Sequence, residues 1–317
     1  ILPFATQFNV DSHLYLEIDA GGFVFGNEPG VASASNNIKL FRDVTTTGAI
    51  TLSANAITID QGVDLITTGA GSPILLRAKQ WIDIDNANTT NVQATDASFS
   101  TIQSNNGDII FWSDADANEQ GLIWISHNTR INSANGVYSY GAVSGGGDVI
   151  MAGGASDGNG RPTGYAWDTG NRNEGAANDL AVGFGKFVDL FTGGGDFIAR
   201  GKSKNAGYST FEFQSLDEFV TGTGRIVIDA QATSAIEAFE YYTVNETEAG
   251  ALFSSHATAT PAISISASIS GVATQALRLY TQNSNNPTTI QSLASTGGGI
   301  SFHSSIGTPT TTGITTY

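Results

Sequence analysis

The residues best suited to chemistry stand close together at Asp114, Asp116 and Asn118, in the run Asp114-Ala115-Asp116-Ala117-Asn118-Glu119-Gln120-Gly121. Side-chain oxygens at alternate positions of a compact loop can converge on a hard cation, so this spacing points to Ca²⁺. The loop lacks a glutamate at the distance where bidentate closure would need one. As an outer turn, the same residues would simply be solvated. Asp83, Asp85 and Asn88 form a thinner version of the pattern. Calcium is the one cofactor the sequence suggests.

Catalytic constellations do not assemble along the chain. His13, His127, His256 and His303 fall in four distant places, and there is no Cys to serve as nucleophile. Neither a Gly-x-Ser-x-Gly elbow nor a Walker loop is present, and the Gly-Gly-Gly-Asp and Thr-Gly-Thr-Gly runs precede no helix that could receive a phosphate. Asp189, Asp196, Arg200 and Lys202 could share one coil face, which would suit polysaccharide cleavage. Thr221 with Thr223, and Thr258 with Thr260, are Thr-x-Thr pairs without regular spacing, so they do not make a flat ice-binding array. The residues therefore read as a non-enzyme, with a polysaccharide-active enzyme as the alternative.

The elements that must position these residues are short. Of 317 residues, 38 are Gly, only 13% are charged and yet 40% are hydrophobic, 17 of them Phe. That charged share is about half the usual one. A core must come from many brief apolar pieces separated by small polar residues. Helical periodicity is nearly absent. What recurs is an alternating strand, often led by Gly: Gly107-Asp108-Ile109-Ile110-Phe111-Trp112, Gly147-Asp148-Val149-Ile150-Met151, Gly195-Asp196-Phe197-Ile198-Ala199 and Gly224-Arg225-Ile226-Val227-Ile228. Ile50-Thr51-Leu52, Ile57-Thr58-Ile59, Ile74-Leu75-Leu76 and Ile263-Ser264-Ile265 carry the same alternation without the leading Gly. Strands this short are stable only when stacked on equivalents in neighbouring repeats, and Gly suits the tight or left-handed corners between them. The expected fold is all-β, a parallel β-helix. An antiparallel sandwich would want hairpin turns between well-formed strands, and Asn135-Gly136 and Asp157-Gly158 are among the few candidates.

One continuous solenoid over 1–317 is expected, interrupted by loop insertions at 153–180 and 236–251. The first is rich in Gly and Asn and holds Trp167. The second holds four Glu and Tyr241-Tyr242, with room for a short helix. Residues 205–220 also depart from the rhythm.

The segment from Asn106 to Gly154 resembles the β-strand-repeat regions of giant bacterial surface adhesins of the filamentous-haemagglutinin type. Gly107 to Asp114, Ile131-Asn132-Ser133 and Gly145 to Ile150 carry the likeness, and Gly193 to Ser203 repeats the last of these. It is good over residues 45–230 and weaker at both ends. The resemblance implies a right-handed parallel β-helix, secretion to the bacterial cell surface and a structural or adhesive role.

Charge narrows the partners. At −16, with a pI near 4.3, the chain repels nucleic acid and anionic membrane surfaces. No apolar run is long enough to span a bilayer. Glycans, neighbouring cell surfaces and copies of the chain itself or flanking repeats are the expected partners. Ile1-Leu2-Pro3-Phe4 shows no signal-peptide pattern and neither end reads as a polar cap, so the sequence predicts an excerpt of a longer chain, or a filament subunit that stacks end to end.

Overall fold

In a computed structural model, residues 7–10, 22–26, 37–86, 99–168, 180–204, 209–214, 216–233, 237–242, 250–271, 276–280, 288–306 and 314–316 are described. All regular structure among them is β, and it forms three parallel sheets of ten, eight and ten strands. The fold is a parallel β-helix. Each complete coil contributes one strand to each sheet in turn. Asn37–Leu40, Val44–Thr46 and Ala49–Ala54 make the first such coil, and Leu277–Tyr280, Thr289–Ser292 and Ile300–Ile306 the eighth. We call the sheets first, second and third in that order.

Alternation explains why these segments become strands. In Phe197–Ser203, Ile226–Ala232 and Ile263–Ile269 every second side chain is buried, and the register places Phe197 on Ile226 and Ile226 on Ile263. Side chains facing the axis therefore stack in columns. Early coils fill the axis with Ile50, Leu52, Ile57, Ile59, Leu65, Ile74 and Leu76, all wholly buried. Later coils use rings instead. Phe184 stacks on Phe213 at 4.7 Å, Phe219 stacks on Phe253 at 5.0 Å, and Phe213 meets Phe219 edge-on at 5.2 Å. The third sheet shrinks to make room: a Cβ on Gly201 would lie 2.6 Å from the Phe211 ring, and Ala230 and Ala267 follow Gly201 in register.

The Gly-Asp phrase has a different role from the one its sequence suggests. Gly107, Gly147, Gly195 and Gly224 are absent from the positive-φ positions, so no left-handed corner requires them. They form a column of close backbone approach: a Cβ on Gly147 would sit 2.2 Å from the Gly107 carbonyl oxygen, on Gly195 2.0 Å from that of Gly147, and on Gly224 1.8 Å from that of Gly195. The left-handed corner between first and second sheets is taken by Asn128, Phe187 and Leu216, at φ of 57°, 61° and 67°.

Beside the glycines runs a buried hydroxyl column. Ser104 and Ser133 donate to the carbonyls of Gly107 and Gly147 at 2.5 and 2.6 Å, Thr192 donates to Gly195, and Thr221 donates to Gly224 at 2.7 Å. Each hydroxyl satisfies a corner carbonyl that the ladder leaves over. Thr221, one member of a Thr-x-Thr pair, is thus spent inside the coil.

The insertions are only partly loops. Ala166–Trp167 returns to the third sheet and pairs with Gly201–Lys202, so the excursion of the first insertion is confined, among the described residues, to 154–165. Residues 169–179 lie outside the described residues. The second insertion begins with a core strand: Phe239–Tyr242 pairs with Phe211–Phe213 and Leu277–Tyr280 in the first sheet. Burial of Phe239 and Tyr241 outweighs the local density of Glu that made 236–251 look like a loop. The remainder, 243–249, lies outside the described residues. Phe211–Phe213 and Glu218–Val220 likewise belong to the coil, while 205–208 and 215 lie outside the described residues.

Candidate functional site

Coil four, with strands Ile123–Ile125, Thr129–Asn132 and Val149–Gly153, emits two segments that lie along the axis instead of around it. The first leaves after Asn132. Its Oδ1 accepts the N–H groups of Ala134 and Gly136 at 2.8 and 3.0 Å, and its Nδ2 donates to the Val137 carbonyl at 3.1 Å. Asn135 and Gly136, at φ of 53° and 73°, make the turn that aims the chain toward later coils. Tyr138 and Tyr140 then stand edge-on against the same Phe191 ring, at 5.3 and 5.5 Å with interplanar angles of 81° and 86°.

Contacts of this strap reach three coils beyond its origin. The Tyr140 hydroxyl donates to Glu218 at 2.5 Å, and the Tyr140 carbonyl meets His256 Nε2 at 3.0 Å. Thr223 N–H donates to the Val143 carbonyl at 2.9 Å before Gly146 closes back onto Gly193 at 3.0 Å. Burial first, and then the Glu218 carboxylate, push the Tyr140 hydroxyl well above the usual phenol range, so it stays a proton donor. Arg130 pairs with Asp189 at 3.3 Å while its guanidinium covers Phe99 at 4.0 Å and Tyr138 at 5.5 Å. Val137, Tyr138 and Tyr140 remain 50%, 42% and 50% exposed. These are large apolar side chains left exposed on a well-anchored segment.

The second segment, 154–165, is a hairpin over the third sheet. Asp157 and Gly158 sit at its turn, with Asp157 Oδ1 accepting Asn159 and Arg161 N–H at 2.7 and 3.1 Å. Arg161 grips Asp148 at 2.7 Å and also Asp108, one coil earlier. Tyr165 donates to Asp229 at 2.7 Å, two coils later. Trp112 Nε1 donates to the Gly154 carbonyl at 2.9 Å, and the patch of Ile110, Trp112, Ile150 and Ala152 is buried on the outward side of the sheet.

The residues first singled out fall into separate places. Asp114, Asp116 and Asn118 do share one turn. Asp114 is buried at φ 48°, and its Oδ1 accepts the N–H groups of Asn118, Glu119 and Gln120 at 2.8, 3.0 and 3.4 Å. Burial, partly offset by those amides, raises its pKa to about 6. Asn118 Nδ2 donates to Asp116 Oδ2 at 3.2 Å, both exposed. This carboxylate is engaged in closing its own turn. Asp83 is buried in the first sheet, while the Asp85 side chain and Asn88 lie outside the described residues. Among the described residues no group of three or more His, Cys, Asp or Glu is placed to hold a metal ion.

Asp189, Asp196, Arg200 and Lys202 do not meet on one face. Asp189 belongs to the second sheet and pairs with Arg130, Asp196 stands at a corner and pairs with Arg225 at 2.7 Å, and only Arg200 and Lys202 share the third sheet. Lys202 rests over the rings of Tyr165 and Trp167 at 5.9 and 5.1 Å. The carboxylates that do gather are ones the sequence did not flag. Glu237 and Glu240 face Arg278 on the first sheet at 3.6 and 2.7 Å, with Glu240 also accepting Ser209 Oγ at 2.7 Å. Glu212 pairs with Glu240 in register. Of the histidines, His127, His256 and His303 lie at a corner, beneath the strap and on the last strand of the third sheet.

Compared with family models, curated proteins and solved structures, the chain gives no match. No helix among the described residues is long and apolar enough to cross a membrane. The tyrosine strap is the site that sequence reasoning missed. Its signal was Tyr138-Ser139-Tyr140, an alternation within a Gly- and Ser-rich stretch, and only the fold supplies Phe191 beneath it.

Proposed function

We propose that this chain is a structural and adhesive segment of an extracellular bacterial surface protein or filament, holding contact residues on a rigid rod. The observation that carries the reading is the strap: Tyr138 and Tyr140 are exposed, yet fixed to coils five, six and seven through Phe191, Glu218 and His256. Recognition surfaces commonly combine rigid aromatic side chains with an anchored backbone, because little entropy is lost on contact. The parallel ladders supply the rod, and the charged groups around the strap are paired rather than converging on a reaction centre.

Protease treatment of intact source cells tests the location. Release of peptides from this chain without cell lysis is expected, and recovery only from the cytosol would overturn the reading. Beads coated with the full chain should adhere to cell surfaces or extracted matrix, and inert beads would remove the adhesive part.

A polysaccharide-active enzyme is a second reading, favoured by Glu212, Glu237 and Glu240 beside Arg278. Reducing-end release from acidic and neutral polysaccharides, abolished in Glu240→Gln, would establish it over the scaffold.

A further inference from the structure

We propose that the face formed by Val137, Tyr138 and Tyr140 is a binding site for a neutral saccharide. The proposal rests on the adhesive reading and names its ligand class. Both tyrosine rings lie nearly perpendicular to Phe191, and Tyr138 and Tyr140 stay 42% and 50% exposed, so part of each ring meets solvent. Arg130 takes one face of Tyr138. The exposed ring surfaces are apolar, with polar groups close by: the Tyr140 hydroxyl, the Glu218 carboxylate, the Asp189 carboxylate and the Ser139 hydroxyl, which accepts Gly141 N–H at 3.2 Å. A pyranose is the matching shape, with an apolar C–H face ringed by hydroxyls that both donate and accept.

Charge selects the neutral class. Arg130, the cation of the site, is paired with Asp189 and stacked on rings, and Glu218 adds negative charge beside Tyr140. An anionic sugar or phosphate would meet an acidic rim on a chain of net charge −16. A protein partner fits less well, since three exposed apolar side chains fall short of the roughly 800 Å² per partner that a specific interface needs. Affinity should be favoured by preorganisation, because the strap is pinned by Val137 N–H to Ala134 at 3.0 Å, by Asn132 to Val137 and by Thr223 to Val143.

The test is a panel of immobilised neutral and uronate-containing oligosaccharides, probed with the full chain and with Tyr138→Ala, Tyr140→Ala and the double variant, each checked for unchanged circular dichroism. Binding to at least one neutral member is expected. It should resist added salt and weaken by about tenfold or more in either single variant, as loss of a rigid aromatic anchor does. Binding confined to uronates, binding unchanged in the double variant, or no neutral binding would each overturn the proposal. Bead adhesion measured in parallel separates the two readings. Adhesion lost in the double variant without neutral-sugar binding would leave the strap adhesive and reject the saccharide, and inert wild-type beads would reject adhesion itself.

Discussion

The Asp148 carboxylate accepts the backbone N–H of Asp196 at 2.8 Å, one coil further along the axis. Asp108 does the same for Asp148 at 2.9 Å, and Asp196 for Arg225 at 2.8 Å. The Gly-Asp phrase therefore encodes an interlocking column in which each carboxylate caps the entry of the next coil's third-sheet strand. Asp148→Ala should destabilise the chain by about 1–3 kcal/mol, since it strands the Asp196 amide and leaves Arg161 with Asp108 alone. Asp148→Asn should recover most of that loss by keeping the acceptor. Urea unfolding midpoints measure both, and equal loss in the two variants would refute the capping role.

Close approach of glycines in the adjacent column leads to a sharper expectation. Gly195→Ala places a methyl 2.0 Å from the Gly147 carbonyl oxygen, against the Gly147–Asp148 backbone and not a flexible side chain that could yield. The coils must separate locally, so destabilisation of about 3 kcal/mol or more is expected, at the upper end of overpacking costs. Gly158→Ala is the contrast: nothing lies within 4 Å, and only the strain of φ at 87° remains. Comparable melting temperatures for the two variants would defeat the argument.

Stability should rise on mild acidification. Burial holds Asp114 at about 6 and Asp217 well above the ordinary carboxylate range. Asp217 lies in the inward position between Val188 and Ala251. Its Oδ1 accepts Val188 N–H at 3.1 Å, and its buried Oδ2 has no partner. A raised folded-state pKa means the fold prefers the protonated form. That contribution is complete below the unfolded value of about 3.9 and is lost as pH climbs through the folded values. For Asp114 the swing is on the order of 2–3 kcal/mol, between about pH 4 and 6. Asp114→Asn should flatten the unfolding midpoint in that window, and Asp217→Asn at higher pH. A wild-type midpoint that climbs steadily with pH would contradict this.

Removal of the Phe213 ring should be felt across coils. It contacts Phe184, Phe219, Phe239 and Phe253, at 4.7, 5.2, 5.2 and 5.5 Å. Phe213→Ala is expected to destabilise by about 3–5 kcal/mol, and Phe213→Leu by much less. Thermal unfolding followed by circular dichroism distinguishes them.

Chelation provides a last check. Three backbone amides already occupy Asp114 Oδ1, so the turn is expected to close without a cation. Melting temperatures with EDTA and with added calcium should agree within about a degree. A calcium-dependent rise abolished by Asp116→Ala would assign the turn to metal instead.

Much of the fold was legible because its signal is local. Ile50-Thr51-Leu52 or Ile263-Ser264-Ile265 can bury one face only as a strand, and strands so short must stack. Phe239 to Tyr242 misled because four nearby glutamates suggested solvent, whereas Phe239 and Tyr241 alternate into the core. Asp114, Asp116 and Asn118 were legible as a shared turn, whereas the three amides that Asp114 accepts were not, because one-dimensional spacing does not show which N–H groups a carboxylate reaches.

The sequence by itself determined the strand class, the inward phase of the alternating strands and the repeated Gly-Asp phrase, because alternation and steric smallness are properties of neighbouring residues. Only the tertiary structure decided what the phrase is for and where the exposed tyrosines stand. Gly195 meets Gly147 and Tyr140 meets Glu218 across 48 and 78 positions respectively. Such pairings depend on how many residues each coil takes to return, and the insertions between strands make that length vary along the stack.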